Sequence, residues 1–161
     1  MIRVVVSDLA EMPCEGILRS ISSDLEADTA VGRALELGAG SGVSDRLRAM
    51  GTLPVGAAVI TPGGGLAASF MIHVVVQSRE EPVRPDALRM ALVNGLRRAQ
   101  EWGLESLALP PLGMGAGNLE AEDSAAVMVP VIQGHLRGHQ HPHEVVIVVA
   151  SGYERDVFAG A

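Results

Sequence analysis

A glycine-rich segment, LPPLGMGAGN at residues 109–118, is the part of the chain best suited to bind a phosphate group. Three glycines alternate with Met114 and Ala116, directly after a short apolar run. Glycine lets the backbone approach an anion closely and turn its N–H groups towards it. The segment lacks the lysine of a Walker loop and does not follow the first strand, as a dinucleotide-binding glycine motif would. Taken alone, it predicts either an anion site or an ordinary flexible turn.

The elements around this segment predict an α/β fold. Strands are expected at residues 2–6, 16–21, 56–61, 70–76, 106–110 and 144–150. Helices are expected at residues 29–40, 44–50, 85–103 and 122–136, the second with Ser44 as its N-cap, and a short segment from Tyr153 closes the chain. Continuous apolar strands that alternate with helices indicate a largely parallel sheet covered on both faces. Ligands of such sheets bind where the carboxyl ends of strands lead into helices, and the glycine-rich segment lies at such a position.

Length and composition limit the classes of function. The 161 residues, 48% of them hydrophobic and with a mean hydropathy of +0.29, predict one domain over residues 1–161 that buries its own core. The net charge is −7, which argues against DNA or RNA as a partner. All 12 basic residues are arginine, so a lysine nucleophile is excluded. No apolar stretch approaches the roughly 20 residues that span a membrane.

Cysteine and histidine usage gives no metal or cofactor site. Cys14 is the sole cysteine, which excludes an internal disulfide and a multi-cysteine zinc site and favours a cytoplasmic location. Four histidines lie close together after the last long helix: His135, His139, His141 and His143. Because the run contains no carboxylate or thiolate at regular helical spacing, we interpret it as a surface loop rather than a metal site. His73, in the middle of a strand, is interpreted as a buried core histidine.

Four stretches, taken in order, resemble the macrodomain family of ADP-ribose-binding modules. They are VVVSDLAEM, EGILRSISSDLEADTAVGRALELGAG, LPVGAAVITPGGGLAASFMIHVVV and SLALPPLGMGAGNLEAEDSA. The order and spacing match the family from Ile2 to Tyr153, and VITPG…MIHVVV and LALPPLGMGAG are the most specific pieces. The resemblance implies a divergent, bacterial-type single-domain member. Its fold would be a three-layer α/β/α sandwich around a mixed, largely parallel sheet.

The resemblance also implies a set of ligand-binding residues. Asp8 stands where the family's aspartate accepts a hydrogen bond from the adenine amino group, and the backbone N–H of Leu9 would meet the ring. Tyr153 stands where an aromatic side chain stacks on adenine. The loop that holds the diphosphate and proximal ribose would be Gly113, Met114, Gly115, Ala116, Gly117 and Asn118. The residues themselves leave two alternatives open, because Asp8 could simply cap a turn and Tyr153 could simply pack at the end of the sheet.

The other half of the implied site departs from the family pattern. Ser22 stands in place of the asparagine that holds the distal ribose. The first glycine-rich loop of the family is replaced by Asp28, Thr29, Ala30 and Val31. A carboxylate at residue 28 that faced the diphosphate from 5–10 Å would cost about 2–3 kcal/mol at an effective dielectric constant near 20. Arg33, one helical turn further on, could compensate this charge.

Catalysis is the least supported part of the resemblance. Family members that remove ADP-ribose from proteins use the distal-ribose asparagine and an acidic residue in the following helix, and these positions are Ser22 and Gly32 here. A general base must reach the attacking water, and Asp24 and Asp28 are the nearby titratable residues. Asp28 and Ser22 are therefore weak catalytic candidates.

Two hypotheses for the function follow from the sequence. The first is binding of ADP-ribose or a related adenine nucleotide diphosphate, free or attached to a protein. The second is a degenerate macrodomain with a role in assembly or in binding another small anion, or a weak hydrolase of ADP-ribosyl groups or O-acetyl-ADP-ribose.

Overall fold

The computed structural model describes residues 1–115 and 119–161, in which six β-strands and five α-helices are present. The strands are β1 (Ile2–Val6), β2 (Gly16–Ser22), β3 (Ala58–Pro62), β4 (Phe70–Gln77), β5 (Ser106–Leu109) and β6 (Glu144–Val149). The helices are α1 (Ala30–Ala39), α2 (Ser41–Met50), α3 (Pro85–Glu101), α4 (Ala121–Gly138) and α5 (Gly152–Ala159). A short 3₁₀ helix, Leu9–Glu11, follows β1. Of the helices in these two ranges, none combines the length and apolarity needed to cross a membrane.

The six strands form one mixed sheet in the order β1-β6-β5-β2-β4-β3. Only the β3–β4 pair among them is antiparallel. The central strands are buried on both faces, and for this reason their sequences are continuous apolar runs rather than alternating patterns. This arrangement confirms the α/β fold with a mixed, largely parallel sheet that the sequence predicts.

Helices cover both faces of the sheet and make a three-layer α/β/α sandwich. On one face, α3, α4 and α5 contribute Leu92, Ile132 and Phe158 to a large apolar cluster. On the other face, α1 and α2 contribute Leu35 and Val43 to a second cluster, together with the residues around the 3₁₀ helix. The second, smaller layer contains α1, and the first turn of α1 lines the candidate site.

The start of α2 and the closing segment of the chain differ most from the sequence prediction. Helix α2 begins at Ser41 rather than after Ser44, because Gly40 adopts a φ of +92° and separates α1 from α2 within one residue. The closing segment, which the sequence left unclassified, forms α5. Ser151 caps this helix by accepting a hydrogen bond from the Glu154 amide at 3.2 Å.

The glycine run between β3 and β4 packs against the C-terminus of α1. The Gly65 amide donates to the Ala39 carbonyl at 3.0 Å. Gly64 has a φ of +61°, and a Cβ atom on it would lie 2.2 Å from the same carbonyl oxygen. Only glycine allows this close contact between two backbones.

A buried arginine joins the sheet to α1. Arg19 lies on β2, next to His73 on β4, and is only 1% exposed. Its Nη1 atom donates to the Glu36 carboxylate at 2.7 Å and to the Gly32 carbonyl at 3.4 Å, and both acceptors belong to α1. A buried cation is tolerated only where it is paired and hydrogen-bonded, so this contact holds α1 at a defined position on the sheet.

His73 extends the Arg19 contact across the sheet as a neutral side chain. Its Nδ1 atom accepts from Arg19 Nε at 2.9 Å, so the ring proton belongs on Nε2, which lies 2.9 Å from Thr61 Oγ1. The Thr61 hydroxyl in turn donates to the Pro62 carbonyl at 3.0 Å. Burial and the neighbouring Arg19 charge lower the pKa of His73 to about 3. His73 is therefore a hydrogen-bonded core residue, as the sequence indicates.

Removing the counter-ion of the buried arginine tests this part of the fold. We expect Glu36→Ala to lower the free energy of unfolding by about 3 kcal/mol, because it leaves a buried cation unpaired. Glu101→Ala is the matched control, since Glu101 pairs with Arg98 at 2.6 Å but both side chains are about one-third or more exposed. That control should lose only about 0.5 kcal/mol. Urea unfolding of both variants measures the difference, and equal losses would contradict this account.

Candidate functional site

A cavity of about 450 Å³ lies at the carboxyl ends of four neighbouring parallel strands. Its walls come from segments that end or follow these strands: Asp8 after β1, Ser20 in β2, Pro110 after β5 and Ala150 after β6. The volume lies in the range of about 300–1,000 Å³ that is usual for small-molecule sites. The sequence predicts a ligand site at this edge of the sheet, because crossover connections of parallel strands bring these loops together there.

Six residues of the predicted ligand-binding set line this cavity. They are Asp8, Leu9, Ala30, Val31, Met114 and Gly115. They come from three segments that are far apart in the sequence and that only the fold brings together. Ala116, Gly117 and Asn118 lie outside the described residues, so their roles remain predictions.

The first turn of α1 presents backbone N–H groups at the cavity. Thr29 caps the helix, since its Oγ1 accepts from the Gly32 amide at 3.0 Å and its carbonyl accepts from the Arg33 amide. The amides of Ala30 and Val31 precede these bonds and have no acceptor within the helix. Both residues line the cavity. A helix N-terminus with free amides is a favourable environment for an anion.

The glycine-rich segment faces this helix terminus. Gly113 has a φ of +81°, and a Cβ atom on it would lie 2.7 Å from Leu119 Cδ1, so the position requires glycine. The Gly113 carbonyl accepts from the Leu119 amide at 2.9 Å, which joins the chain on the two sides of residues 116–118. A Cβ atom on Gly115 would lie 3.9 Å from the Thr29 methyl group. The segment after β5 and the first turn of α1 therefore meet at one end of the cavity.

Asp8 lines the cavity from the segment after β1. It is the N-cap of the 3₁₀ helix, and its Oδ1 atom accepts from the Ala10 amide at 3.1 Å. Asp8 therefore caps a turn. This role does not exclude recognition of an adenine amino group, because a carboxylate has two oxygens and can accept several hydrogen bonds at once. Recognition of an adenine amino group by Asp8 stays a prediction.

Glu154 is a cavity residue that the sequence interpretation missed. It lines the cavity on α5, and its Oε1 atom accepts from the Ala150 amide at 3.3 Å. The segment SGYE carries a capping-box pattern, with glutamate three residues after Ser151, and that pattern could have drawn attention to it. The neighbouring Tyr153 is 61% exposed, and its hydroxyl donates to the Glu122 carboxylate on α4. Tyr153 is not among the described residues that line the cavity, and its stacking role stays a prediction.

The Asp28 carboxylate is engaged by two side chains of the sheet. It accepts from Ser20 Oγ at 2.8 Å and from Gln77 Nε2 at 3.3 Å. Burial raises the pKa of Asp28, although the hydrogen bonds from Ser20 and Gln77 and the charge of Arg19 act in the opposite direction. Asp28 is not one of the described residues that line the cavity, whereas Ser20 is.

The described cavity wall does not include Ser22, Asp24 or Arg33. Ser22 closes a tight turn, because its amide donates to the Glu26 carbonyl at 2.9 Å and its hydroxyl accepts from the Glu26 amide at 3.4 Å. Asp24 and Arg33 line a second cavity of about 490 Å³, on the α1–α2 side of this turn. The part of the chain described by the structure places no arginine in the wall of the first cavity.

The chain resembles known proteins along nearly all of its length. The family model described as "Macro domain" matches residues 20–128. A protein of Aeropyrum pernix is 32% identical over 164 residues, which cover 96% of this chain and 80% of that protein. A macro domain-containing protein of Caldanaerobacter subterraneus is 25% identical, and the match covers 99% of this chain and 94% of that protein.

Solved structures with the same fold include macrodomains in complex with ADP-ribose. A mutant of the Oceanobacillus iheyensis macrodomain "with ADPR" superposes with a TM-score of 0.88 at 21% identity and covers 98% of this chain and 89% of that one. The Trypanosoma brucei macrodomain "in complex with ADP-ribose" gives a TM-score of 0.88 at 17% identity, with coverage of 99% and 68%. At these identities the similarity establishes the shared fold.

Replacing Asp28 by asparagine tests the environment assigned to its carboxyl group. A raised pKa means that the folded chain holds this proton more tightly than the unfolded chain does. The stability from this proton is present below the unfolded value of 3.8 and is lost as the pH rises through the folded-state pKa.

We therefore expect the difference in unfolding free energy, wild type minus Asp28→Asn, to fall with rising pH and then to level off. Urea unfolding of both proteins between about pH 3.5 and about pH 7 measures it. A difference that grows with pH would show that the pKa is lowered instead.

Proposed function

Because this chain belongs to the macro domain family, we propose that it binds ADP-ribose, or a related adenine nucleotide diphosphate, in the 450 Å³ cavity. The observation that carries the proposal is the meeting of the first turn of α1, whose Ala30 and Val31 amides have no acceptor within the helix, with the glycine-rich segment at one end of this cavity. Members of the same fold family are found with ADP-ribose, which supports the same chemical class of ligand for this chain.

The diphosphate belongs at the end formed by α1 and the segment after β5. Ala30 and Val31 offer N–H donors there, and the α1 dipole adds a partial positive charge. Since no arginine is present in the described part of the wall, backbone groups supply the attraction for the anion. Asp28 is not among the described residues of this wall, and its carboxylate oxygens accept from Ser20 and Gln77.

The adenosine belongs at the end near β1 and β6, which are neighbours in the sheet. Leu9, Val148 and Val149 give this part of the wall an apolar surface suited to a purine. Asp8 and Glu154 are both carboxylates there, and carboxylates accept hydrogen bonds from an amino group but repel a phosphate. The charge distribution therefore favours a single orientation of the ligand, with adenine at β1 and the diphosphate at α1.

We propose binding rather than hydrolysis as the activity of this cavity. In the described part of the wall the titratable groups are Asp8 and Glu154, and both lie at the proposed adenine end. The two carboxylates that the sequence offers as a general base, Asp24 and Asp28, are not among the described cavity residues and are engaged with Arg79 and with Ser20. A general base must lie within reach of the attacking water. A protein that carries an ADP-ribosyl group presents the same adenosine and diphosphate, so it is a ligand of the same class.

Calorimetric titration with ADP-ribose tests the proposal. We expect wild-type protein to bind one equivalent, and we expect Asp8→Ala to lower the affinity by about tenfold or more, because hydrogen bonds to charged groups contribute roughly 1.5–3 kcal/mol. Ala34→Phe should abolish binding, since Ala34 is exposed on α1 and a larger side chain there would fill the cavity.

The matched control is Asp45→Ala. Asp45 is an exposed aspartate on α2 that pairs with Arg48 at 3.1 Å and is not among the cavity residues. Its affinity for ADP-ribose should equal that of the wild type. No measurable heat at millimolar ADP-ribose, or equal affinities for Asp8→Ala and Asp45→Ala, would contradict the proposal.

Shortened ligands test the contribution of each part of the nucleotide. Because Ser22 already bonds to Glu26 and stands away from the cavity wall, we expect the distal ribose to add little. ADP should then bind within about threefold of ADP-ribose, a difference below about 0.7 kcal/mol. AMP should bind at least about tenfold more weakly, since it lacks the phosphate that reaches α1. ADP-ribose affinity far above that of ADP would show that the distal ribose is recognised after all.

A further inference from the structure

A cluster of two histidines and one glutamate lies at the edge of the sheet opposite the cavity. Glu105 directly precedes β5 and His143 directly precedes β6, and these parallel strands are neighbours, with Ser106 paired to Glu144. His141 lies two residues before His143. The cavity is formed at the carboxyl ends of the same strands, so this cluster is a separate feature.

The spacing of the ligand atoms is close to that of a tetrahedral metal site. Glu105 Oε1 lies 3.5 Å from His141 Nδ1, and Glu105 Oε2 lies 3.2 Å from His143 Nε2. One ligand atom from each of the three residues falls within 4.8 Å of the other two. Zinc bonds of about 2.0–2.2 Å at tetrahedral angles place neighbouring ligand atoms about 3.3–3.6 Å apart. Small side-chain adjustments therefore suffice to bring all three groups to one ion.

The backbone around the three side chains is held in place from several directions. The Glu105 carbonyl accepts from the amides of His143 at 2.9 Å and Glu144 at 3.2 Å. The His141 amide donates to the Gln100 side chain at 2.8 Å, and the His141 carbonyl lies 2.8 Å from His135 Nε2. These bonds connect the segment after α4 to α3, to α4 and to the start of β5. Ligands held by such surrounding contacts need little reorganisation when they bind a metal.

One nitrogen atom of the cluster lacks a hydrogen-bond partner. His141 Nδ1 is buried, and because its 3.5 Å contact with Glu105 Oε1 is not a hydrogen bond, it has no hydrogen-bond partner in the described structure. Buried polar atoms are almost always paired, so an orphan nitrogen requires an explanation. A metal ion between Glu105 and the two imidazoles would supply the missing partner.

We propose that Glu105, His141 and His143 bind one divalent cation of the zinc type, with water in the fourth position. Neutral imidazole nitrogens and a carboxylate are ligands that zinc accepts, whereas calcium and magnesium select sites made of oxygen atoms. The bound ion would clamp the segment between α4 and β6 onto the start of β5. Its role would be structural, because the nucleotide cavity lies at the other edge of the sheet. This site does not depend on the proposed nucleotide binding.

Titration of the untagged full chain with Zn²⁺ after treatment with a chelator tests this proposal. We expect one ion per chain with an affinity in the micromolar range or better, and a higher unfolding temperature in its presence. Glu105→Gln and His143→Ala should each weaken binding at least about tenfold. Both residues are largely exposed, so neither change is expected to unfold the protein.

His139→Ala is the matched control, because His139 belongs to the same histidine run but not to the cluster. Its Nδ1 atom bonds to the His135 carbonyl at 3.1 Å, and it should bind Zn²⁺ as the wild type does. The proposal is overturned if wild-type protein binds no zinc below about 100 μM. It is also overturned if Glu105→Gln binds as tightly as the wild type, or if His139→Ala weakens binding as much as His143→Ala. Either of these two results would mean that zinc binds nonspecifically to surface histidines.

Discussion

The pairing of the buried Arg19 cation with Glu36 is the contact on which the geometry of the candidate site depends. An arginine that is 1% exposed cannot remain charged without acceptors, and it finds them in α1 and in His73. This requirement fixes where α1 lies on the sheet and therefore where its first turn points. Ala30 and Val31 line the cavity, and the same helix is anchored to the sheet through Glu36 and Gly32.

Parallel pairing explains why two unrelated groups of residues gather at opposite edges of one sheet. Every strand except β3 runs in the same direction, so the loops that follow β1, β5 and β6 converge on the cavity. The residues that precede β5 and β6 converge in the same way at the other edge, where Glu105 meets His141 and His143. The proposed nucleotide site and the proposed metal site are thus two consequences of one topology. They share strands but no side chains.

The sequence predicts the elements well and the side-chain partners less well. The strands agree within about two residues at each end, because buried parallel strands are recognisable as apolar runs. The start of α2 was misplaced because Gly40 reverses the chain within a single residue, which a helical pattern does not reveal. Asp8, Leu9 and the first turn of α1 line one cavity because they follow parallel strands of the same sheet, and their roles in binding stay predictions. Glu154 was missed because the neighbouring tyrosine was the more conspicuous residue for binding a nucleotide.

The fold class and the edge of the sheet at which a ligand site is predicted follow from local patterns, namely apolar runs, helical spacing and glycine positions. These patterns are readable along the chain because each depends on residues a few positions apart. The direction of the Asp28 carboxylate depends instead on Gln77, which is 49 residues away and belongs to another strand. The carboxylate beside the histidine run comes from Glu105, which the sequence separates from His141 by a helix and the fold places next to it. Such contacts arise only when distant segments pack, so no local pattern contains them.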